Sequence, residues 1–83
     1  MVLTEMPMHR VLADLKAGET ATIERFDNPV LEAVLTDMGC PLGTQVQLYR
    51  RALFSGPLSI KTQGGNILAL RLDDARQTRI SKS

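Results

Sequence analysis

A chain of 83 residues, 43% of them apolar, is long enough for one small domain with a compact core and too apolar for global disorder. Ten basic and nine acidic side chains leave a net charge of +1, and only Phe26, Tyr49 and Phe54 could stack on bases, which argues against a nucleic-acid binder. A single cysteine rules out an intrachain disulfide, and neither a membrane span nor a secretory core is present, so a cytoplasmic protein is expected.

Residues 1–10, MVLTEMPMHR, read as an extended lead-in segment. Either it is a frayed terminus, or Val2, Leu3, Met6 and Met8 cover an apolar patch, for instance on another copy of the chain. Val11, Leu12 and Leu15 follow, and Lys16-Ala17-Gly18-Glu19 is a turn signal. Thr20 to Phe26 alternates, with Ala21 and Ile23 on one face and Thr22 and Glu24 on the other, which predicts a half-buried strand. Asn28 is a good N-cap and Pro29 suits the first position of a helix. Val30, Leu31, Val34, Leu35 and Met38 then recur at spacings of three and four and predict one apolar stripe facing the core. Gly39 ends the helix by accepting a positive φ, Pro41 prevents its resumption and Gly43 permits a second bend.

Residues 45–51 predict a strand with Val46 and Leu48 inward and Gln45, Gln47, Tyr49 and Arg51 on the other face. Residues 52–56 form a loop tipped with Leu53 and Phe54. Leu58, Ile60 and Thr62 alternate in a further strand, and Gln63-Gly64-Gly65-Asn66 is a hairpin signal, because a Gly-Gly pair meets the positive φ angles of tight turns. Residues 67–72 are the return strand, with Leu68, Leu70 and Leu72 on one face. Residues 73–76 predict one helical turn, capped by Asp73 and favoured by Asp74 at its positive end. Residues 78–80 make a short last strand, and 81–83 a frayed tail. The fold class is therefore mainly β: about five short strands, one helix inserted between early strands and a helical turn before the last strand. Short strands of this kind close into a small barrel, which removes aggregation-prone edges.

The ordered set LADLKAGETATI, a helix ending in LTDMG, PLGTQVQLYRRA and SGPLSIKTQGGNILALRLDDA resembles the FeoA family, small cytosolic accessory proteins of bacterial ferrous iron uptake. The likeness runs from Val11 to Ile80, so a domain is expected over 11–80, with 1–10 as lead-in and 81–83 as tail. The sequence departs from the family pattern twice. Pro41 stands one position early, and Leu42 occupies the place of the family's proline before the second glycine. Ser55-Gly56-Pro57 replaces Gly-Asp-Pro and lacks its aspartate. The resemblance implies an SH3-like β-barrel and a protein partner, the cytosolic G-domain region of the ferrous iron transporter FeoB. Contact with the membrane would come only through that partner, and homo-oligomers are compatible with it.

No enzyme chemistry is expected. Cys40 and His9 are far apart in sequence and form no nucleophile–base pair, and a lone cysteine between bends reads as a small packed hydrophobe. No metal site or cofactor is expected either, since zinc-ligand spacing and phosphate-binding fingerprints are missing and the helical turn already explains Asp73-Asp74. What remains is a binding module, with Leu42, Tyr49, Arg50, Arg51, Leu53 and Phe54 as candidate contact residues. Leu53 and Phe54 lead, because large apolar side chains exposed together mark contact sites, and aromatic and Arg residues serve as interface anchors. Phe54 could instead fold back to plug one barrel end, and Arg50 and Arg51 could solvate a strand edge. A second reading, by resemblance, is a stand-alone regulatory barrel like the C-terminal domain of DtxR-type metal-dependent repressors. A third is a small metal carrier.

Overall fold

The computed structural model describes residues 10–82, Lys82 by its backbone alone. The lead-in reading of residues 1–9 and the final Ser83 therefore lie outside the described residues. Six strands form one antiparallel sheet: β1 (Arg10–Val11), β2 (Thr20–Phe26), β3 (Gln45–Arg51), β4 (Leu58–Thr62), β5 (Ile67–Leu70) and β6 (Thr78–Lys82). Helix α1 (Pro29–Asp37) joins β2 to β3, and α2 (Leu72–Arg76) joins β5 to β6. The expected mainly β architecture is present, with one strand more than the sequence indicates. That strand is β1, which pairs Arg10 with Ile80 and Val11 with Arg79.

Strand order is β1-β6-β2-β3-β4-β5. No pairing joins β1 to β5 among the described residues. The two sheet ends meet instead through their continuations, since the 3-10 turn Leu12–Asp14 after β1 packs on α2 after β5. Leu12, Leu15, Ile23, Leu35, Leu48, Leu58 and Ile60 fill the interior, each essentially excluded from water.

Strand β2 buries Ala21 and Ile23 as the alternation predicts, and then Phe26 in place of Arg25. A register shift against β6 between Ile23 and Arg25 adds one residue to β2. Such a bulge reverses the facing of everything beyond it and so returns Phe26 to the core.

Asn28 caps α1: its side-chain oxygen accepts from the amides of Val30 (2.9 Å) and Leu31 (3.4 Å). At the other end the Cys40 amide donates to the Leu35 carbonyl and the Gly39 amide to the Thr36 carbonyl, with Gly39 at φ 89°. This pair of bonds is the Schellman arrangement, and its left-handed residue is the glycine that the sequence places there. The predicted stripe, however, is divided. Only Leu31 and Leu35 are buried, while Val30, Val34 and Met38 are exposed. A nine-residue helix lying against β2 touches the sheet along one narrow line, and the neighbouring row faces solvent.

Three further expectations are corrected. In the β4–β5 hairpin only Gly65 takes a positive φ, 90°. The N-cap of α2 is Arg71, without a side-chain cap bond, so Asp73 lies inside the first turn. The helix starts early because Leu72 is drawn half into the interior rather than extending β5. Finally, β6 continues through Ser81 and Lys82, paired with Thr22 and Ala21, where a frayed tail was expected.

Candidate functional site

Strand β3 is bulged near its end. Leu48 pairs with Ile60 and Arg50 with Ser59, so Tyr49 is the extra residue. Alternation would set Tyr49 and Arg50 on opposite faces; the bulge leaves both exposed. Arg51 behaves differently. Its Nη1 donates to the carbonyls of Ala13 (2.9 Å) and Leu15 (2.8 Å), tying the 3-10 turn to β3. The guanidinium expected at a contact surface or a solvated edge is therefore engaged in tying the chain that follows β1 across to β3.

The loop after β3 is closed at its base by the Ala52 amide donating to the Pro57 carbonyl (3.0 Å). At its tip the Gly56 amide donates to the Leu53 carbonyl (3.2 Å), with Phe54 at φ 58° and Ser55 at φ 64°. Two successive left-handed residues define a type I′ turn, a geometry ordinarily taken by Asn-Gly. A bulky aromatic residue there is strained, and strain of this kind persists at sites where the surroundings impose it. The turn holds Phe54 96% exposed and Leu53 78% exposed. Phe54 therefore does not plug the barrel.

Gly56 is fixed by close approach. A Cβ there would meet the Ala52 Cβ at 2.7 Å and the Leu53 carbonyl oxygen at 3.2 Å. Gly56→Ala is expected to push the two loop arms apart and cost about 1–3 kcal/mol. Amide resonances of residues 53–55 should move most in a two-dimensional NMR spectrum, and an unchanged loop spectrum would contradict this packing.

Beneath the loop lies a polar cleft of about 400 Å³ whose lining includes Asp14, Arg51, Ser55, Leu72 and Arg76. Sequence reasoning misses Asp14 and Arg76 here, because only the meeting of the sheet ends brings them beside the loop. Leu42 stands apart from this surface. It is half-exposed on the turn leading into β3, whereas Leu53 and Phe54 follow the other end of that seven-residue strand. A strand of that length spans roughly 20 Å. The structure thus gathers Tyr49, Arg50, Leu53 and Phe54 at one end of the sheet and leaves Leu42 at the other.

Cys40 is buried, and burial pushes its thiol up from its ordinary value. The folded thiol holds its proton more tightly than the unfolded one. Burial of Cys40 therefore favours the fold until the pH at which the unfolded thiol ionises, and that support is lost as pH rises further. A disulfide-exchange reagent at pH 8 is expected to label the native chain roughly a hundredfold more slowly than the chain in urea. Equal rates would place Cys40 at the surface. Among the described residues no three His, Cys, Asp or Glu side chains stand close enough to share a metal ion, and no helix is long and apolar enough to cross a membrane.

The FeoA domain family model matches residues 10–82. Among solved structures, a manganese-dependent transcriptional repressor in complex with manganese aligns at a TM-score of 0.81 and 21% identity over 94% of this chain. This chain spans 38% of that repressor. The solution structure of the FeoA protein from Chlorobium tepidum aligns at 0.80 and 24% identity, covering 88% of this chain and 70% of its own. The crystal structure of an iron uptake regulatory protein, FeoA, aligns at 0.77 and 22% identity, covering 93% of this chain and 100% of its own. At these identities the structural likeness is one of fold. No curated protein sequence matches the chain.

Proposed function

The chain belongs to the FeoA domain family and has its SH3-like fold, and from that premise we propose that it is a non-enzymatic accessory protein of ferrous iron uptake. Its partner in this reading is the cytosolic G-domain region of an FeoB-type transporter, so the chain works at the cytoplasmic face of the membrane. The contact is the loop of residues 52–57. The observation that carries the assignment is Phe54, almost wholly exposed on a strained turn that its own backbone bonds hold in place.

A Phe side chain buried at an interface removes about 150–200 Å² from water, a gross gain of about 4–5 kcal/mol before the costs of association. A turn already closed by hydrogen bonds loses little further freedom on docking, which lowers those costs. Leu53 extends the apolar tip, and Tyr49 and Arg50 flank it as a polar rim. Leu42 falls outside this contact.

Measuring radioactive Fe²⁺ uptake in cells that express the transporter from a constitutive promoter tests the proposal. Removing the chain should lower uptake, and restoring it should recover uptake. The fold likeness to a manganese-dependent repressor favours a second reading, a stand-alone regulatory barrel of the DtxR type. In that case uptake at constant transporter level would not change, while transcription would. Calorimetric titration with Fe²⁺ addresses the metal-carrier reading; tight stoichiometric binding by the purified chain would favour it over both others.

A further inference from the structure

Acidic and basic side chains are unevenly divided along the chain. Residues 11–37 hold six acidic residues and two basic ones. Residues 38–72 hold Arg50, Arg51, Lys61 and Arg71 and neither Asp nor Glu. That second stretch contains β3, β4 and β5, which lie side by side in the sheet, and the loop of residues 52–57 belongs to it. The surface around Phe54 is therefore cationic, and a surface that receives Phe54 gains by being acidic.

Arg25 and Arg79 share Asp27 (3.5 and 3.0 Å), and Arg71 pairs with Asp74 (3.3 Å). Among the described residues, neither Arg50 nor Arg51 has a carboxylate partner. Arg51 is nonetheless fixed. Its Nη1 carries two N–H groups, and these go to the carbonyls of Ala13 and Leu15. A guanidinium has five N–H donors in a rigid plane, so three remain, on Nε and Nη2. These three have no acceptor among the described residues. Nε–H and one Nη2–H run parallel and form the fork that grips a carboxylate through two bonds. The Nη1 bonds already hold the plane, so little freedom is lost when the fork is filled.

Arg51 lines the cleft of about 400 Å³ beneath the loop, together with Arg76, Asp14 and Ser55. Arg76 has Asp73 at 3.5 Å, but both side chains are largely exposed, and such a pair holds weakly against a competing anion. Asp14 keeps one oxygen on the Val11 amide (3.2 Å). Two guanidiniums against one carboxylate leave the lining with an excess positive charge, which suits a monoanion better than a dianion. Ser55 and Gly56 line the same cleft and share the turn with Phe54, so a partner segment that seats the Phe54 ring passes the mouth of the cleft.

We propose that the cleft takes the carboxylate of an Asp or Glu side chain of the partner, on Arg51 and Arg76, beside the apolar site that receives Phe54. The assignment rests on the proposed contact of this loop with FeoB. It adds the chemistry of the partner's docking segment, which is an acidic residue next to an apolar pocket.

Two measurements on the full 83-residue chain test it. In titration calorimetry against the purified cytosolic region of FeoB, Arg76→Gln is expected to weaken binding by about threefold to tenfold. Asp14→Asn keeps an oxygen for the Val11 amide and removes the competing charge, and is expected to tighten binding by about twofold to fivefold. A merely structural role would weaken binding in both variants, and that result would overturn the assignment. The second measurement needs no partner. Acetate replaces chloride at constant ionic strength while two-dimensional proton–nitrogen NMR follows the arginine Nε–Hε signals. The Arg51 signal should move further than that of Arg71, whose Nε already donates to Asp74, and Arg76→Gln should reduce the movement. If the natural chain binds FeoB and both variants bind equally well, the cleft assignment is overturned while the loop contact stands. If the natural chain does not bind FeoB, the loop contact falls and acetate decides the cleft. An Arg51 signal that stays in place overturns the assignment in either case.

Discussion

Replacing Phe54 by alanine is expected to leave the fold intact and to weaken binding to the cytosolic region of FeoB by tenfold to a hundredfold, about 1.4–2.8 kcal/mol. Intactness follows from exposure. The ring is 96% exposed in the free chain, so its removal opens no cavity. The left-handed strain at φ 58° is left nearly unchanged, because alanine keeps the Cβ that causes it. The loss in binding follows from anchor energetics: a few central aromatic side chains carry most of an interface, while their neighbours mainly exclude water. Biolayer interferometry against the immobilised FeoB region reads the affinity, and a thermal melt reads the fold. Leu53→Ala should show a smaller loss, since Leu53 is less exposed and its side chain smaller. An unchanged affinity for Phe54→Ala, with an unchanged melt, would remove the loop from the contact.

Leu35→Ala is expected to be the most damaging single change to the domain itself, costing about 2–5 kcal/mol. Leu35 is fully buried, and it lies on the one line of α1 that meets the sheet. With Leu31 it supplies the helix's whole buried face. Its carbonyl also accepts the Cys40 amide that closes the helix exit, so a void beneath it loosens the same corner. For a domain of this size the expected fall in Tm is at least about 10 °C. Val34→Ala, on the neighbouring exposed row, should move Tm far less. Comparable shifts for the two variants would mean that the helix rests on the sheet differently from the structure described.

Local chemistry was legible wherever it acts within a few residues. Asn28 and Pro29 announce the start of α1, and Gly39 its end, because caps are built from neighbours in sequence. Strands β2, β3 and β4 show in their alternation for the same reason. What escaped depends on a partner strand or on distant chain. The bulges in β2 and β3 exist only relative to the registers of β6 and β4, so alternation alone predicts a false facing for Arg50. Strand β1 is two residues long and carries no period of its own; its pairing with β6 makes it a strand. The five apolar residues of α1 share one broad stripe, and nothing local says that the sheet covers only part of it.

The candidate site divides in the same way. The presence of Leu53 and Phe54 in a loop is evident from composition, yet the choice between an exposed tip and a barrel plug is decided by the type I′ turn. Arg51 looked like its neighbour Arg50 until the structure placed the carbonyls of Ala13 and Leu15 against it, more than thirty residues away in sequence. Leu42 stands where the family pattern has a proline, but the length of β3 separates it from the loop.

The central claim is that the loop tip engages the transporter. Isothermal titration of the full chain into the purified cytosolic region of FeoB, with GDP, with a non-hydrolysable GTP analogue and without nucleotide, tests it most directly. Saturable binding with one chain per G-domain in at least one nucleotide state, weakened at least tenfold by Phe54→Ala, is the expected result. No heat of binding from the natural chain in any state, or equal binding by the Phe54 variant, would contradict it.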